Sequence, residues 1–162
     1  MAKQLNISRT EAKDYINKYF NQYPGIQDYM ERMRNFLDNH GYVETMFGRR
    51  INIRGYRDKN PMIRNYAQRQ AINAPIQGTA ADVIKRAMIK YFRVSNQEIF
   101  ANTKLLLQVH DELIFEIKQD KQLSVIIEKL IKIMTDAHKP VISFKVPIVV
   151  TSGKGKNWDE AH

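Results

Sequence analysis

The sequence predicts an α+β fold, with helices packed on one face of a small antiparallel sheet. Three observations predict it. Apolar residues recur at helical spacing between Ser8 and His40, and again between Lys121 and His138. Two short strand-forming runs, "KLLLQV" and "LIFEI", stand close together between them.

At 162 residues with 43% hydrophobic content, the chain suits one ordinary domain or a lobe of a larger one. Lysine and arginine number 26 against 17 acids, a net charge of +9, which favours a polyanionic partner. Nucleic acid is the first candidate and a membrane surface the second. No apolar run approaches the roughly 20 residues needed to span a bilayer, and the polar start "MAKQLNISRT" has no signal-peptide core. A cytoplasmic setting is therefore expected. With no cysteine, thiolate metal sites and thiol nucleophiles are excluded, and any metal must sit on oxygen or imidazole ligands. That favours magnesium or manganese over zinc.

The first helix opens at "SRTE", where Ser8 and Glu11 have capping-box spacing, and its apolar stripe is Ala12, Tyr15, Ile16, Tyr19 and Phe20. "YPG" stops it at Tyr23. A second helix carries Ile26, Tyr29, Met30, Met33 and Leu37 to Gly41, so residues 8–40 read as a helical hairpin whose aromatic rings belong to the core. "YVETMFGRRINI" alternates around Gly48 as a short β-hairpin, and "RGYRDKNP" is a charged loop that marks the main boundary, dividing residues 1–60 from 61–162. Two helical segments follow, about 62–73 and 76–93, interrupted at Pro75 because proline lacks the amide that a continuous helix uses. The small residues Gly78 to Ala81 read as a turn that something approaches closely. "KLLLQV" and "LIFEI" form a tight hairpin, a last helix spans about 121–138, and "FKVPIVV" is a final strand.

His110, Asp111 and Glu112 occupy the step between the two strands. Successive strand residues face opposite ways, so Asp111 and Glu112 can address one ligand only if the turn falls there. Two carboxylates at such a turn suit a hard cation, since magnesium takes one or two protein carboxylates plus phosphate and water. The plain alternative is a solvated turn. Arg69, Asn73 and Gln77 follow each other at intervals of four, a column of hydrogen-bond donors on a helix. Minor-groove acceptors occupy nearly the same positions in every paired base, so these donors could test pairing without reading sequence. A polar solvent face is the other reading. Arg49 and Arg50 at a hairpin tip, and Lys85, Arg86, Lys90 and Arg93 beyond, are either phosphate contacts or solubilising charges. His40 and His138 read as helix ends and His162 as terminal, none with ligand spacing.

Taken together, these pieces resemble the family A (bacterial polymerase I type) DNA polymerases. "LLLQVHDELIFE" is similar to their third catalytic motif and "RQAINAPIQGTAADVIKRAM" to the segment before it, while "GYVETMFGRR" and "GKNWDEAH" match in order and spacing. The resemblance covers essentially the whole chain. It corresponds to the carboxyl-terminal part of such an enzyme: the end of the fingers in residues 1–60, then most of the palm in 61–162.

The resemblance implies a DNA-directed DNA polymerase that adds nucleotides to a primer 3′-OH with two magnesium ions. By it, Asp111 is a metal ligand, Glu112 an auxiliary acid near the metals, and His110 a neighbour of the primer terminus. Arg69, Asn73 and Gln77 touch template and primer near the newest base pair, and Arg49 and Arg50 contact template backbone. The partners implied are primer-template DNA and deoxynucleoside triphosphates. The sequence also departs from the family's pattern. It contains no "DYSQIE"-like segment, which brings the other metal-binding aspartate, and no nucleotide-gripping helix; the chain begins just after where that helix would end. Ile51 stands where many relatives have a third basic residue, and Thr151 and Ser152 replace the usual acidic and small pair before Gly153. Catalytic inactivity of the isolated chain is thus expected, along with self-association through an exposed sheet edge. Two other classes stay open: a non-catalytic DNA-binding module, and an independent magnesium nuclease using "HDE".

Overall fold

Ser8 starts the first helix, α1 (Arg9–Gln22), in the computed structural model, which describes residues 7–161. Its hydroxyl accepts from the Glu11 N–H at 3.1 Å, and the Glu11 carboxylate accepts from the Ser8 N–H at 2.9 Å. The expected capping box is therefore present, and the Ser8 amide, then its hydroxyl, hold the Glu11 carboxyl below its ordinary range. Tyr23 breaks the chain for one residue before α2 (Pro24–His40), where proline sits in the first turn and loses no needed amide. Gly41 ends α2 with φ +78, donating its N–H to Leu37 O at 2.7 Å. A side chain would be strained there, and a Cβ would also meet the Tyr56 hydroxyl.

The chain divides into two compact units, the first made of residues up to Thr45 with Arg49–Pro75, the second of Met46–Gly48 with Ile76 onward. In the first unit, β1 (Tyr42–Glu44) and β2 (Arg50–Asn52) pair antiparallel, with Val43 opposite Ile51. Leu37, Val43, Ile53, Ala67 and Ala71 form its core. The aromatic stripe of α1 does not join it. Only Ala12 is buried on that helix, while Tyr15 is 58% and Tyr19 50% exposed. Among the described residues α1 packs chiefly on α2, and that one contact is narrower than the apolar stripe it was expected to cover.

Residues 61–94 form one uninterrupted helix, α3 (Pro61–Val94), and not two segments broken at Pro75. Proline removes one amide and disfavours its neighbours, yet the ring is buried and the flanking helical turns carry the packing contacts that hold the helix through it. Gly78 to Ala81 are helical as well, not a turn. The close approach they were expected to allow is real: Thr79 is buried and its hydroxyl accepts the Met46 N–H at 2.9 Å.

In the second unit a short 3-10 turn (Glu98–Phe100) leads into β3 (Thr103–Val109), which pairs antiparallel with β4 (Glu112–Ile117). Helix α4 (Leu123–Thr135) buries Ile126 and Leu130 against Tyr91 and Phe100, with Leu105, Phe115 and Ile117 of the hairpin packed on the same cluster. The class is α+β as expected, with helices on one face of this sheet, and the antiparallel pairing comes as two separate two-stranded sheets. "FKVPIVV" is not a strand: residues 144–150 run without a ladder, because among the described residues no strand pairs with them. A last short helix, α5, covers Trp158–Ala161. His162 lies outside the described residues.

The C-terminal end of α4 is held by cations. Arg86 donates to Ala137 O at 3.0 Å and Lys90 to Asp136 O, satisfying carbonyls that a helix end leaves without partners. Burial, then the neighbouring Arg86, lowers the Lys90 pKa. The Asp136 carboxylate accepts from Lys139 at 2.7 Å and Lys132 at 3.1 Å, and these bonds hold its pKa down at about 2. His138, expected as a helix end, is buried with its ring 4.8 Å from that of Phe144.

Two outcomes follow. Leu37, fully enclosed in the first core, changed to alanine should cost about 2–5 kcal/mol in denaturant unfolding. Asp136 is less readily protonated in the fold than in the unfolded chain, so its stabilising effect is present above about pH 4 and fades as pH falls toward 2. Asp136→Asn should therefore flatten the loss of melting temperature between pH 5 and pH 2 by a measurable margin, in a melt series about one pH step apart.

Candidate catalytic and nucleic-acid-binding site

The β3–β4 hairpin turns in two residues, His110 and Asp111, and Glu112 is already the first residue of β4, opposite Val109. His110 has φ +51, a conformation uncommon outside glycine that hairpins this tight require at the first turn position. The Gln108 side-chain amide donates to the His110 carbonyl and braces the turn. Gln108 went unnoticed in the sequence; its one signal was standing two residues before a polar turn. His110 and Asp111 are exposed, and Glu112 is half-buried.

An irregularity in β3 sets which side chains share a face. Leu105 pairs with Phe115 but Leu107 pairs with Ile114, so Leu106 is an extra residue that reverses the alternation. Leu105 and Phe115 face the core, whereas Leu107 and Ile114 take the opposite face, and counting back along β4 puts Glu112 on that outer face too. Glu112 thus faces away from the helices, next in sequence to the exposed turn carboxylate Asp111. Asp111 forms no hydrogen bond or ion pair with another described side chain. Two adjoining carboxylates fit part of the shell of a magnesium ion, and no group of three or more His, Asp or Glu residues able to hold a metal occurs among the described residues. A complete site needs donors beyond these two.

Arg69 and Asn73 lie on α3 within the first unit and Gln77 on α3 within the second, all three exposed at successive steps of four. Tyr66 lies 5.9 Å from the Arg69 guanidinium, face to cation. Arg49 and Arg50 lie where the β1–β2 turn re-enters β2. The Arg49 N–H donates to the Thr45 hydroxyl at 3.2 Å, and the Arg49 carbonyl accepts from the Thr45 N–H at 3.0 Å. Arg50 Nε meets Glu44 at 3.2 Å with most of its side chain in solvent. An exposed pair of this kind contributes between about 0 and 1 kcal/mol, leaving Arg50 available for another anion. Arg86 and Lys90, by contrast, are occupied with the end of α4.

Helices thus pack on one face of a two-stranded hairpin whose turn carries Asp111, next to Glu112 at the start of β4. The chain belongs to DNA polymerase family A, whose model matches residues 1–160. It is 48% identical over its whole length to DNA polymerase I of Rhizobium leguminosarum and 44% identical to that of Pseudomonas aeruginosa. It spans 16% and 17% of the length of those two relatives. A solved structure described as the POL domain of Pol1 from M. smegmatis, in complex with DNA primer-template and dNTP, superposes with a TM-score of 0.88 at 36% identity. That match covers 99% of this chain and 27% of that one. Among the described residues no helix is long and apolar enough to cross a membrane.

His110→Gly should leave stability unchanged or raise it by up to about 1 kcal/mol, because glycine takes positive φ without strain. A larger loss in thermal unfolding would mean that the imidazole itself holds the turn.

Proposed function

We propose that this chain forms part of a DNA-directed DNA polymerase, working in the cytoplasm on primer-template DNA and deoxynucleoside triphosphates. The observation that carries the reading is the two-residue turn that presents Asp111 beside Glu112, within a chain matched to the family almost end to end. Asp111 and Glu112 would hold the magnesium ions. When bound, those ions lower the pKa of the attacking hydroxyl and neutralise charge on the reacting phosphates. His110 lies against the primer terminus. Arg69, Asn73 and Gln77 donate to minor-groove acceptors of the newest base pairs, where a mispair displaces the acceptors and loses the bonds. Arg49 and Arg50 take template phosphates. Residues 1–60 are the remainder of the fingers, and residues 61–162 are a palm portion.

The isolated chain is inactive in this reading, because two carboxylates hold only one side of a two-metal site. The same lack of a third ligand favours a DNA-binding role over an independent nuclease for the chain by itself. Each outer edge of β3–β4 has no strand beside it among the described residues, and Leu106 and Leu107 are half-exposed. We expect self-association through that hairpin.

Three measurements test this. The chain should bind a labelled primer-template in anisotropy titrations, with Asn73→Ala and Gln77→Ala each weakening binding by roughly fivefold, the loss of about 1 kcal/mol per hydrogen bond. Neither the chain nor Asp111→Ala should extend the primer with magnesium and all four deoxynucleotides; extension by the parent chain would mean that another residue completes the metal site. In sedimentation velocity the chain should shift to larger species as concentration rises, and Leu107→Lys should suppress that shift.

A further inference from the structure

We propose that the outer face of the β1–β2 hairpin, extended by His40 at the end of α2, is a stacking surface for unpaired bases of single-stranded nucleic acid. Val43 is fully buried and Ile51 packs on the same core, so their neighbours Tyr42, Glu44, Arg50 and Asn52 face the other way. Beside that face three rings cluster, with Phe36 packed on the core and meeting Tyr42 edge-on at 5.7 Å. Phe36 and His40 stack with centroids 4.2 Å apart and planes 20° from parallel, His40 meets Tyr42 edge-on at 5.8 Å, and the Arg50 guanidinium covers the Tyr42 ring at 4.7 Å. His40 is exposed, with its Nδ1 2.9 Å from Phe36 O, and Tyr42 is half-buried.

Such a cluster, with one ring exposed, has two properties that single strands need. Exposed rings offer a flat surface to any base, and neighbouring cations follow the phosphates. Glu44 engages Arg50 through Nε, which leaves the terminal guanidinium nitrogens to donate elsewhere. From Arg49 to Arg69 the sequence has seven cations and one acid, Asp58, so the strand leaving the rings stays in a positive field. The cluster leaves the His40 imidazole exposed, polar at its edge and apolar on its face, which suits a nucleobase better than a lipid or a hydrophobic helix.

The inference shares Arg50 with the polymerase reading but stands on ring geometry, and it addresses unpaired bases where Arg69, Asn73 and Gln77 address paired ones. The test uses the full chain and two probes: a single-stranded oligonucleotide carrying 2-aminopurine, and a blunt duplex of the same composition. Binding of the single strand should quench the 2-aminopurine. His40→Ala should weaken that binding by about tenfold, with less quenching, and Tyr42→Phe should preserve it. Arg50→Gln should lower the slope of log affinity against log salt by about 0.7, as expected for one lost phosphate contact on a single strand. Circular dichroism checks that each variant is folded. If folded His40→Ala and Arg50→Gln bind the single strand as the parent does, or if the parent gives no quenching, the surface is not a stacking site. Loss of blunt-duplex binding in Asn73→Ala, with His40→Ala unaffected on that probe, would separate the two surfaces. Single-strand binding that persists when no duplex binding is found would overturn the paired-base reading and leave this one standing.

Discussion

Tyr91 sits buried near the end of α3, meets Phe100 and Phe115 edge-on at 5.7 and 5.0 Å, and donates its hydroxyl to Thr103 O at 2.8 Å. Burial raises its pKa, so the phenol stays a neutral donor. A two-stranded hairpin is marginal in water without something to pack on. Here one ring grips the hairpin twice, once through the face of β4 at Phe115 and once through the backbone at the start of β3. Everything at the far end of the hairpin inherits that anchorage. The position of His110 and Asp111 is set by packing at the opposite end of the strands, where neither residue takes part.

The turn and the irregularity in β3 then divide the work. A two-residue turn leaves no slack, and the Gln108 bond to the His110 carbonyl removes a further degree of freedom. The extra residue Leu106 lets β3 keep Leu105 in the core while Leu107 and Val109 take the outer face, opposite Ile114 and Glu112, so that the turn closes at His110 and Asp111. Without it, the alternation fixed by Thr103 and Leu105 would leave the last residues of β3 facing the other way. A carboxylate pair on a rigid hairpin suits a reaction in which charge must be met at one position without rearrangement.

The cations of this chain serve different ends, which their count alone does not reveal. Arg86 and Lys90 donate to the Ala137 and Asp136 carbonyls just past α4, and Arg57 donates to Asp38 O near the end of α2 while lying 5.1 Å from the Tyr56 ring. These hold the fold. Arg50 and Arg69 instead lie exposed along aromatic rings, placed but not consumed. A net charge of +9 therefore overstates the surface available to a polyanion, and the densest cationic stretch, residues 49–69 with seven cations against one acid, itself spends Arg57 and Arg64 on backbone carbonyls.

What depended on neighbours in the chain was readable in advance. The Ser8–Glu11 cap, the stop at Gly41, the two hairpins and the helical face of α4 all rest on contacts within a few residues, where spacing and side-chain type decide the outcome. The family was legible because the motif residues are contiguous in sequence. Long-range packing decided the rest. Pro75 and Gly78 predict a break by local propensity, yet α3 continues because packing on both sides of them outweighs one missing amide. "FKVPIVV" has strand composition but no ladder, since a strand exists only through a partner that its own residues cannot specify. The α1 rings follow a helical stripe, and whether a stripe is covered depends on what is packed against it. The reversal at Leu106 likewise leaves no mark in composition, because it arises where two strands must agree on register.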